Sequence, residues 1–363
     1  MGIGDESMTA GDDDRLERAR RDVHVLSHPS VLVVIDLLAR LGLRITATTI
    51  RERMGAWPTF PSIGLVEIGQ MFERWGIPST AFRAPPDKVT SVRLPVIALL
   101  ENAGLDGDFD LVVVTAWHDE TVELSHPMMG AMAMAWPQFL ACWTGVMVAA
   151  GFDPAAEEPD FEARREAEVQ AAAAWRRAVR IVEDFLDAEE CARIIRTCEQ
   201  AVGFAPSPTV LLRPDGSSVR RSAARTSHTA TLADRSPAGF APLYARAAAL
   251  IGVETGRIED FQCVRYDPGQ EFKPHVDGLD RSHTLLVYLN DDFAGGETWF
   301  PEIDLVVPPK RGSALLFGNF DAAGRAVPWS RHAGLPPREG RKYACNIWAR
   351  AVGPVAGDAA AKS

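Results

Sequence analysis

From residue 258 onward this 363-residue chain is a succession of short apolar runs broken by Gly, Pro and Asp: FQCVRY, HTLLVYLN, ETWF, ALLF and ACNIWAR. Runs of this length, rich in β-branched and aromatic residues and bounded by turn formers, read as strands. Many short strands in sequence lead to a barrel or jelly roll. That expectation fixes the fold of the C-terminal half, and the rest of the chain is read around it.

The N-terminal half has a different texture. PSVLVVIDLLARLGL places Val31, Val34, Ile35, Leu38 and Leu41 on one helical face, with Gly42 as the stop. A second helix fits GLVEIGQMFERWGI. Strand-like runs follow in PVIALL, DLVVVTAW and TVELS, and WPQFLACWTGVMVAA closes the segment. DPAAEEPDFEARREAEVQAAAAW is acidic, alanine-rich and proline-containing, and reads as a linker that becomes a solvated helix. RAVRIVEDFLDAEECARIIRTCEQ then reads as a strand, a turn with Asp187 as N-cap, and an amphipathic helix, and FAPLYARAAALIGV as another helix. The fold class expected is therefore α+β in two domains. A charged N-terminus over 1–25, expected to be disordered at first and helical in DDDRLERARRDV, is followed by a first domain over 26–152. A linker helix over 153–175, a second domain over 176–352 and a frayed tail over 353–363 complete the chain.

Composition narrows the class of function. Hydrophobic residues make up 47% of the chain, enough for sizeable cores, and the net charge of −11 argues against a nucleic-acid-binding surface. Cys142, Cys191, Cys198, Cys263 and Cys345 show no CxxC spacing and read as reduced thiols rather than a disulfide frame or zinc site. No signal-peptide pattern and no run of about 18 apolar residues is present, so a cytoplasmic protein without a membrane span is expected.

The stretch EFKPHVDGLD sets His275 two residues before Asp277. Residues i and i+2 of a strand share a face, so both are expected to point into the barrel. Two ligands hold a metal poorly, and the candidate third is His332 in SRHAGLPPREGRK. Two imidazoles and a carboxylate form the facial set of non-haem Fe(II) sites, which leaves coordination positions open. An HxD triplet alone is common by chance and is more often structural. The surroundings count for more. If His332 ends one strand, a turn through GLPPREG lets Lys342 enter the same interior, where a buried ammonium requires an anionic partner. A dicarboxylate chelating the metal at one end would offer its far carboxylate, with Tyr266 and Thr298 as neutral donors beside it.

RYDPGQEFKPHVD, RSHTLLVYLNDDFAGGETWFPE, VVPPKRGSALLF and RHAGLPPREGRKYACNIW together resemble the core of the prolyl 4-hydroxylases, and RTSHTATL at 225–232 resembles the segment preceding that core. The resemblance covers about 176–352. It implies a double-stranded β-helix (jelly roll) with flanking helices. It implies an Fe(II)- and 2-oxoglutarate-dependent dioxygenase acting with O₂ on a peptide or protein substrate, most simply at proline, and releasing succinate and CO₂. His275, Asp277 and His332 become iron ligands, Lys342 the salt-bridge partner of 2-oxoglutarate, and Tyr266 and Thr298 its neighbours. Arg281 matches an arginine near the substrate entrance and Trp348 a tryptophan lining the pocket. L-ascorbate is the expected rescuer of oxidised iron. One departure is the loop of six residues between Asp277 and Thr284, which is often longer in the family.

HPSVLVVIDLLARLGL, LPVIALL, DLVVVTAWHDETVELSHP and WPQFLACWTGV resemble, more weakly, the papain-like peptidase domain of bacteriocin-exporting ABC transporters. Where that family has its cysteine this chain reads His28, Pro29 and Ser30. Asp110 or a neighbour stands at the histidine, and His126-Pro127 replaces the Asp-Pro. A thiolate–imidazole mechanism is unavailable. The readings left open are a peptide-binding groove without chemistry, a purely structural module and a differently built hydrolase. For the whole chain the competing functions are a peptidyl hydroxylase, a non-catalytic peptide-binding protein and a hydroxylase of a free small molecule. A fragment starting near 176 is expected to keep a complete barrel.

Overall fold

The computed structural model describes residues 21–101, 109–213, 216–220, 224–236, 238–278 and 280–351, with 209–213 and 216–220 in backbone only. The expected N-terminal helix lies mostly outside the described residues, where Arg21–Ser27 is helical, and the expected tail lies wholly outside them. The chain divides into two compact units. One comprises His24–Ala173 with Thr209–Ala224, and the other Ala174–Pro208 with the chain from Arg225 on. The expected boundaries at 152/153 and 175/176 differ from this division, which falls inside a helix.

The first unit begins with three helices, α1 (Pro29–Arg40), α2 (Ala47–Gly55) and α3 (Leu65–Arg74). His28 caps α1, Pro29 takes its first turn, and Gly42, at φ +73°, ends it as the sequence indicated. Six strands follow: β1 (Ser79–Arg83), β2 (Val96–Glu101), β3 (Phe109–Trp117), β4 (Thr121–His126), β5 (Gly130–Ala135) and, after α4 (Trp136–Cys142), β6 (Trp143–Ala150). They form one antiparallel sheet in the order β1-β6-β2-β3-β4-β5. Its two faces bury different cores. Val113 and Val148 pack with Val34, Leu37 and Leu38 of α1, whereas Val112, Val114 and Leu124 pack with Phe139 and Trp143. Short helix α2 and the edge strands β1 and β5 were not anticipated, because none carries the continuous apolar pattern on which the reading relied. Helix α5 (Phe161–Ala178) is the expected solvated helix and buries no residue fully.

The second unit is a two-sheet sandwich. Strand β7 (Arg180–Val182) leads to α6 (Ala188–Thr197), whose N-cap Asp187 and Glu190 form a reciprocal capping box. Strand β8 (Ala205–Pro206), the hairpin β9 (Thr209–Arg213) and β10 (Gly216–Arg220) of the first unit, β11 (His228–Leu232) and α7 (Ala241–Ile251) follow. The remaining strands are β12 (Phe261–Tyr266), β13 (Phe272–His275), β14 (Arg281–Tyr288), β15 (Ala294–Gly295), β16 (Thr298–Phe300), β17 (Leu305–Val307), β18 (Ala314–Gly318), β19 (His332–Gly334), β20 (Pro337–Glu339) and β21 (Lys342–Arg350). The large sheet runs β7-β18-β14-β21-β12-β11-β8 and the small one β13-β19-β16-β17. Strand alternation divides the large sheet cleanly. Cys345, Ile347 and Ala349 face α6 and α7, while Val264, Tyr266, Leu286, Tyr288 and Ala344 meet Phe300 and Val307 of the small sheet. This is the expected jelly-roll arrangement. All five cysteines are free and buried. Among the described residues no single helix is long and apolar enough to cross a membrane.

Candidate metal centre

Strand β13 pairs with β19 so that His275 lies opposite His332, and the two rings meet with centroids 4.4 Å apart. His332 opens β19 rather than ending a strand. Asp277 lies two residues past the end of β13, so simple strand alternation does not place it. The chain leaves the strand after His275 and returns the carboxylate to both rings. Asp277 Oδ1 lies 3.6 Å from His275 Nε2, and Oδ2 lies 3.7 Å from His332 Nε2. One ligand atom from each residue lies within 4.8 Å of the others, the one such group among the described residues.

The chemistry of this donor set fits a divalent cation. His275 Nδ1 is 2.8 Å from the Lys273 carbonyl and His332 Nδ1 is 2.9 Å from the Ser330 carbonyl. A carbonyl only accepts, so each Nδ1 carries the proton and each Nε2 presents a lone pair to the centre. Burial, reinforced by the His332 ring, holds the His275 pKa down to about 4, so the imidazole is neutral and free to ligate. Burial acts to raise the Asp277 carboxyl, but His332, His275 and Arg281 outweigh it and keep its pKa below the ordinary carboxylate range. Two imidazoles and one carboxylate on one side of a cavity are the ligand set of non-haem Fe(II).

Aromatic rings fix the two histidines. Phe272 stacks on His275 with centroids 3.4 Å apart, and the Arg225 guanidinium lies 4.6 Å from the centre of the Phe272 ring. Phe300 and Phe317 flank His332 at 5.6 and 5.0 Å. Behind them Trp175, near the end of α5, packs edge-on against both phenylalanines and donates its indole N–H to the Gly318 carbonyl at 2.9 Å.

The cavity lined by the three ligands continues to Tyr266, Thr298 and Lys342. Tyr266 and Lys342 are direct partners across the β12–β21 ladder. Lys342 is 2% exposed, and its ammonium donates to the Gly296 carbonyl at 2.8 Å. Burial lowers its pKa to about 8, with Glu297 acting in the opposite direction. Gly296 has φ +72°, and a Cβ there would lie 3.1 Å from the lysine Cδ, so glycine permits the approach. Gly334 does the same for Tyr266, whose hydroxyl would lie 3.2 Å from an added Cβ. Thr298 is buried, and its hydroxyl is 2.8 Å from that of Tyr288. The pocket thus has a three-ligand end and a cationic end with hydroxyls beside it, the complement of a chelating dicarboxylate.

Residues 261–350 match the model of the 2OG-Fe(II) oxygenase superfamily. Prolyl 4-hydroxylase 1 of Arabidopsis thaliana is 30% identical over 201 residues, covering 48% of this chain and 70% of that protein. The chain belongs to the prolyl 4-hydroxylase family of 2OG-Fe(II) oxygenases. Within this family the human prolyl 4-hydroxylase subunit alpha-1 is 33% identical over 113 residues, 27% of this chain and 21% of that one. A relative from Acanthamoeba polyphaga mimivirus is 33% identical over 125 residues, and the chain spans about half, 52%, of its length. The 2OG complex of the viral collagen prolyl hydroxylase from Paramecium Bursaria Chlorella virus-1 aligns with 48% of this chain and 96% of its own, at 27% identity and a TM-score of 0.39.

Two of the expected oxygenase site residues stand apart from the pocket. Arg281 and Trp348 are not among its lining residues. The Arg281 guanidinium lies 3.5 Å from the centre of the Trp348 ring and holds Glu259 through two hydrogen bonds of 2.9 and 2.8 Å. The reason is register. Lys342, Ala344 and Asn346 line the cavity, and Trp348, next on the same face of β21, continues that row beyond it. Thr284, Tyr288, Asn319 and Asn346 were not anticipated from the sequence. Alternation in β14 carried a signal for two of them, since Thr284, Leu286 and Tyr288 share the cavity face.

Proposed function

We propose that the second unit is an Fe(II)- and 2-oxoglutarate-dependent dioxygenase that hydroxylates a peptidyl proline and releases succinate and CO₂. The observation that carries this reading is the pairing, within one buried cavity, of the His275–Asp277–His332 centre with the desolvated Lys342 ammonium. Fe(II) bound by the three ligands, with 2-oxoglutarate, supplies the O₂ activation that protein side chains lack. His275 and His332 offer Nε2 lone pairs and Asp277 a carboxylate oxygen. Lys342 would pair with the far carboxylate of the cosubstrate, and the Tyr266 and Thr298 hydroxyls would donate to it. Val264, Phe272 and Leu286 supply apolar wall that keeps water from the reacting end. We assign Arg281 and Trp348, beyond Asn346 and outside the pocket, to the substrate rather than the cosubstrate. L-ascorbate is assigned to keeping the iron reduced. The test is succinate release from 2-oxoglutarate with Fe(II), with and without proline-rich peptides. Stimulation by peptide supports the reading, and stimulation by free amino acids alone moves the activity to small molecules.

For the first unit we propose a papain-like module that binds peptide without cleaving it. The order of three helices followed by an antiparallel sheet supports the fold. The loss of chemistry rests on two arrangements. The Ser30 hydroxyl at the start of α1 is buried and donates to the Ile63 carbonyl at 2.6 Å. Asp110 alternates with Val112 and Val114, on the sheet face opposite α1, where His126 lies 3.4 Å from it. No nucleophile at the α1 terminus can therefore meet that pair. Incubating the whole chain with proline-rich and unrelated peptides tests this, since cleavage would contradict it and binding without cleavage would support it.

A further inference from the structure

Asp277 has one hydrogen-bond partner that no metal-ligand pattern predicts. Thr284, in β14, places its hydroxyl 2.6 Å from Asp277 Oδ2, and Asn319, just past β18, donates its side-chain N–H to the same hydroxyl at 3.0 Å. All three residues are buried, with exposures of 6, 1 and 3%. The direction of this chain is dictated. A carboxylate only accepts, so the Thr284 proton must go to Asp277. The hydroxyl oxygen is then available as an acceptor, which the Asn319 amide fills. Rotating the Asn319 amide by half a turn would set its carbonyl oxygen against the Thr284 oxygen and leave the pair without a shared proton. Asn319 is itself held by its backbone, which accepts from Val327 and donates to Ser282 through main-chain bonds of 3.0 and 2.9 Å.

We propose that Asn319 and Thr284 are positioning residues that fix the Asp277 carboxylate so that Oδ1 is presented as a single metal ligand. The proposal rests on reading the triad as the iron site. Both oxygens face the rings, Oδ1 beside His275 Nε2 and Oδ2 beside His332 Nε2, but Thr284 occupies a lone pair of Oδ2, which leaves Oδ1 as the freer oxygen to complete the face with the two imidazoles. The approach to Thr284 is short, since β14 already begins at Arg281, four residues after Asp277. Asp277 lies outside any strand, so no ladder holds its backbone in register, and a hydrogen bond to a residue within β14 substitutes for that constraint. Partners of ligating carboxylates affect metal affinity by about 10–100-fold, and the same scale is expected here.

The test measures Mn(II) affinity of the full chain by electron paramagnetic resonance, without turnover. Thr284→Val preserves shape and removes the hydroxyl, and Thr284→Ser keeps the hydroxyl. Valine is expected to weaken Mn(II) binding by about 10–100-fold and serine by no more than about threefold. Asn319→Ala is expected to weaken binding in the wild-type background and to add nothing to Thr284→Val, because it acts through that hydroxyl. Equal affinity in wild type and Thr284→Val, or full additivity of the two substitutions, would overturn the proposal. Asp277→Ala separates it from the reading beneath it. If that variant abolishes Mn(II) binding while Thr284→Val leaves it intact, only the positioning role fails. If Asp277→Ala binds Mn(II) as well as wild type, the iron site itself is wrong and the positioning role falls with it.

Discussion

The Lys342 ammonium lies 5.1 Å from the centre of the Tyr266 ring, its direct partner across the β12–β21 ladder, and its hydrogen-bond acceptor is the neutral Gly296 carbonyl. On the proposed reading, this buried ammonium awaits the far carboxylate of 2-oxoglutarate. Lys342→Ala is therefore expected to weaken 2-oxoglutarate binding by about 2–5 kcal/mol while leaving metal affinity near that of wild type. Isothermal titration of the Mn(II) form under nitrogen checks both.

The same lysine makes a pH prediction. Its folded pKa of about 8 lies below the ordinary value of 10.5. Between these values the unfolded chain binds more protons than the folded one, so the stability of the cosubstrate-free protein rises with pH over that window. Carboxylate binding needs the proton and moves oppositely. The dissociation constant of 2-oxoglutarate should increase by up to about tenfold per pH unit above about 8. Lys342→Arg, charged throughout, should flatten that slope even if its different shape lowers affinity. A wild-type profile that stays flat to about pH 10 would remove Lys342 as the carboxylate partner.

Trp175 corrects the expected start of the oxygenase domain. A fragment beginning at 176 discards the indole that packs on Phe300 and Phe317, the two rings flanking His332. Trp175→Ala is expected to destabilise the oxygenase unit by about 2–4 kcal/mol, somewhat less than for a fully buried tryptophan, and a fragment from Phe161 should unfold at higher temperature than one from 176. Thermal melts of the two fragments and the variant decide this. Equal melting temperatures would show that the helix end is dispensable.

Tyr288 is expected to act on the cosubstrate through Thr298. Its hydroxyl is buried and 2.8 Å from the Thr298 oxygen. Tyr288→Phe removes one hydrogen bond of about 1 kcal/mol and should weaken 2-oxoglutarate binding several-fold with little change in Mn(II) affinity. A larger effect on metal than on 2-oxoglutarate would contradict this arrangement.

What the sequence conveyed follows from which signals are local. Strand alternation and turn residues made the jelly roll legible, and Asp187 was readable as an N-cap because its partner lies within the first turn of its own helix. The two histidines and Lys342 were readable because their spacings matched a family pattern. Asp277 meets the two histidines as expected, but not by strand alternation, since it sits past the end of β13 and its carboxylate accepts from Thr284. Asn319 and Trp175 were invisible because their partners are distant in the chain, and a lone Asn or Trp carries no period. In the first unit, Asp110 and His126 were legible as positions, but that they meet on the face away from α1 depends on the pleat of β3.

The ligand set is tested by His275→Ala, Asp277→Ala and His332→Ala, each expected to abolish 2-oxoglutarate decarboxylation while the fold persists by circular dichroism. Asp277→Glu should fail as well, because one added methylene displaces the carboxylate by about 1 Å. Near wild-type succinate release from any of the three alanine variants would show that the residue is not a ligand, whereas activity of Asp277→Glu would show only that the site tolerates the displaced carboxylate.

The central claim, that this centre oxidises a peptidyl proline, is tested most directly by mass spectrometry of a proline-rich peptide incubated with the full chain, Fe(II), 2-oxoglutarate and isotopically labelled O₂. The account predicts a gain of one labelled oxygen atom on a proline ring, matched by an equal amount of succinate and absent with Asp277→Ala. An unmodified peptide, while free proline or another small molecule gains the oxygen, would contradict it.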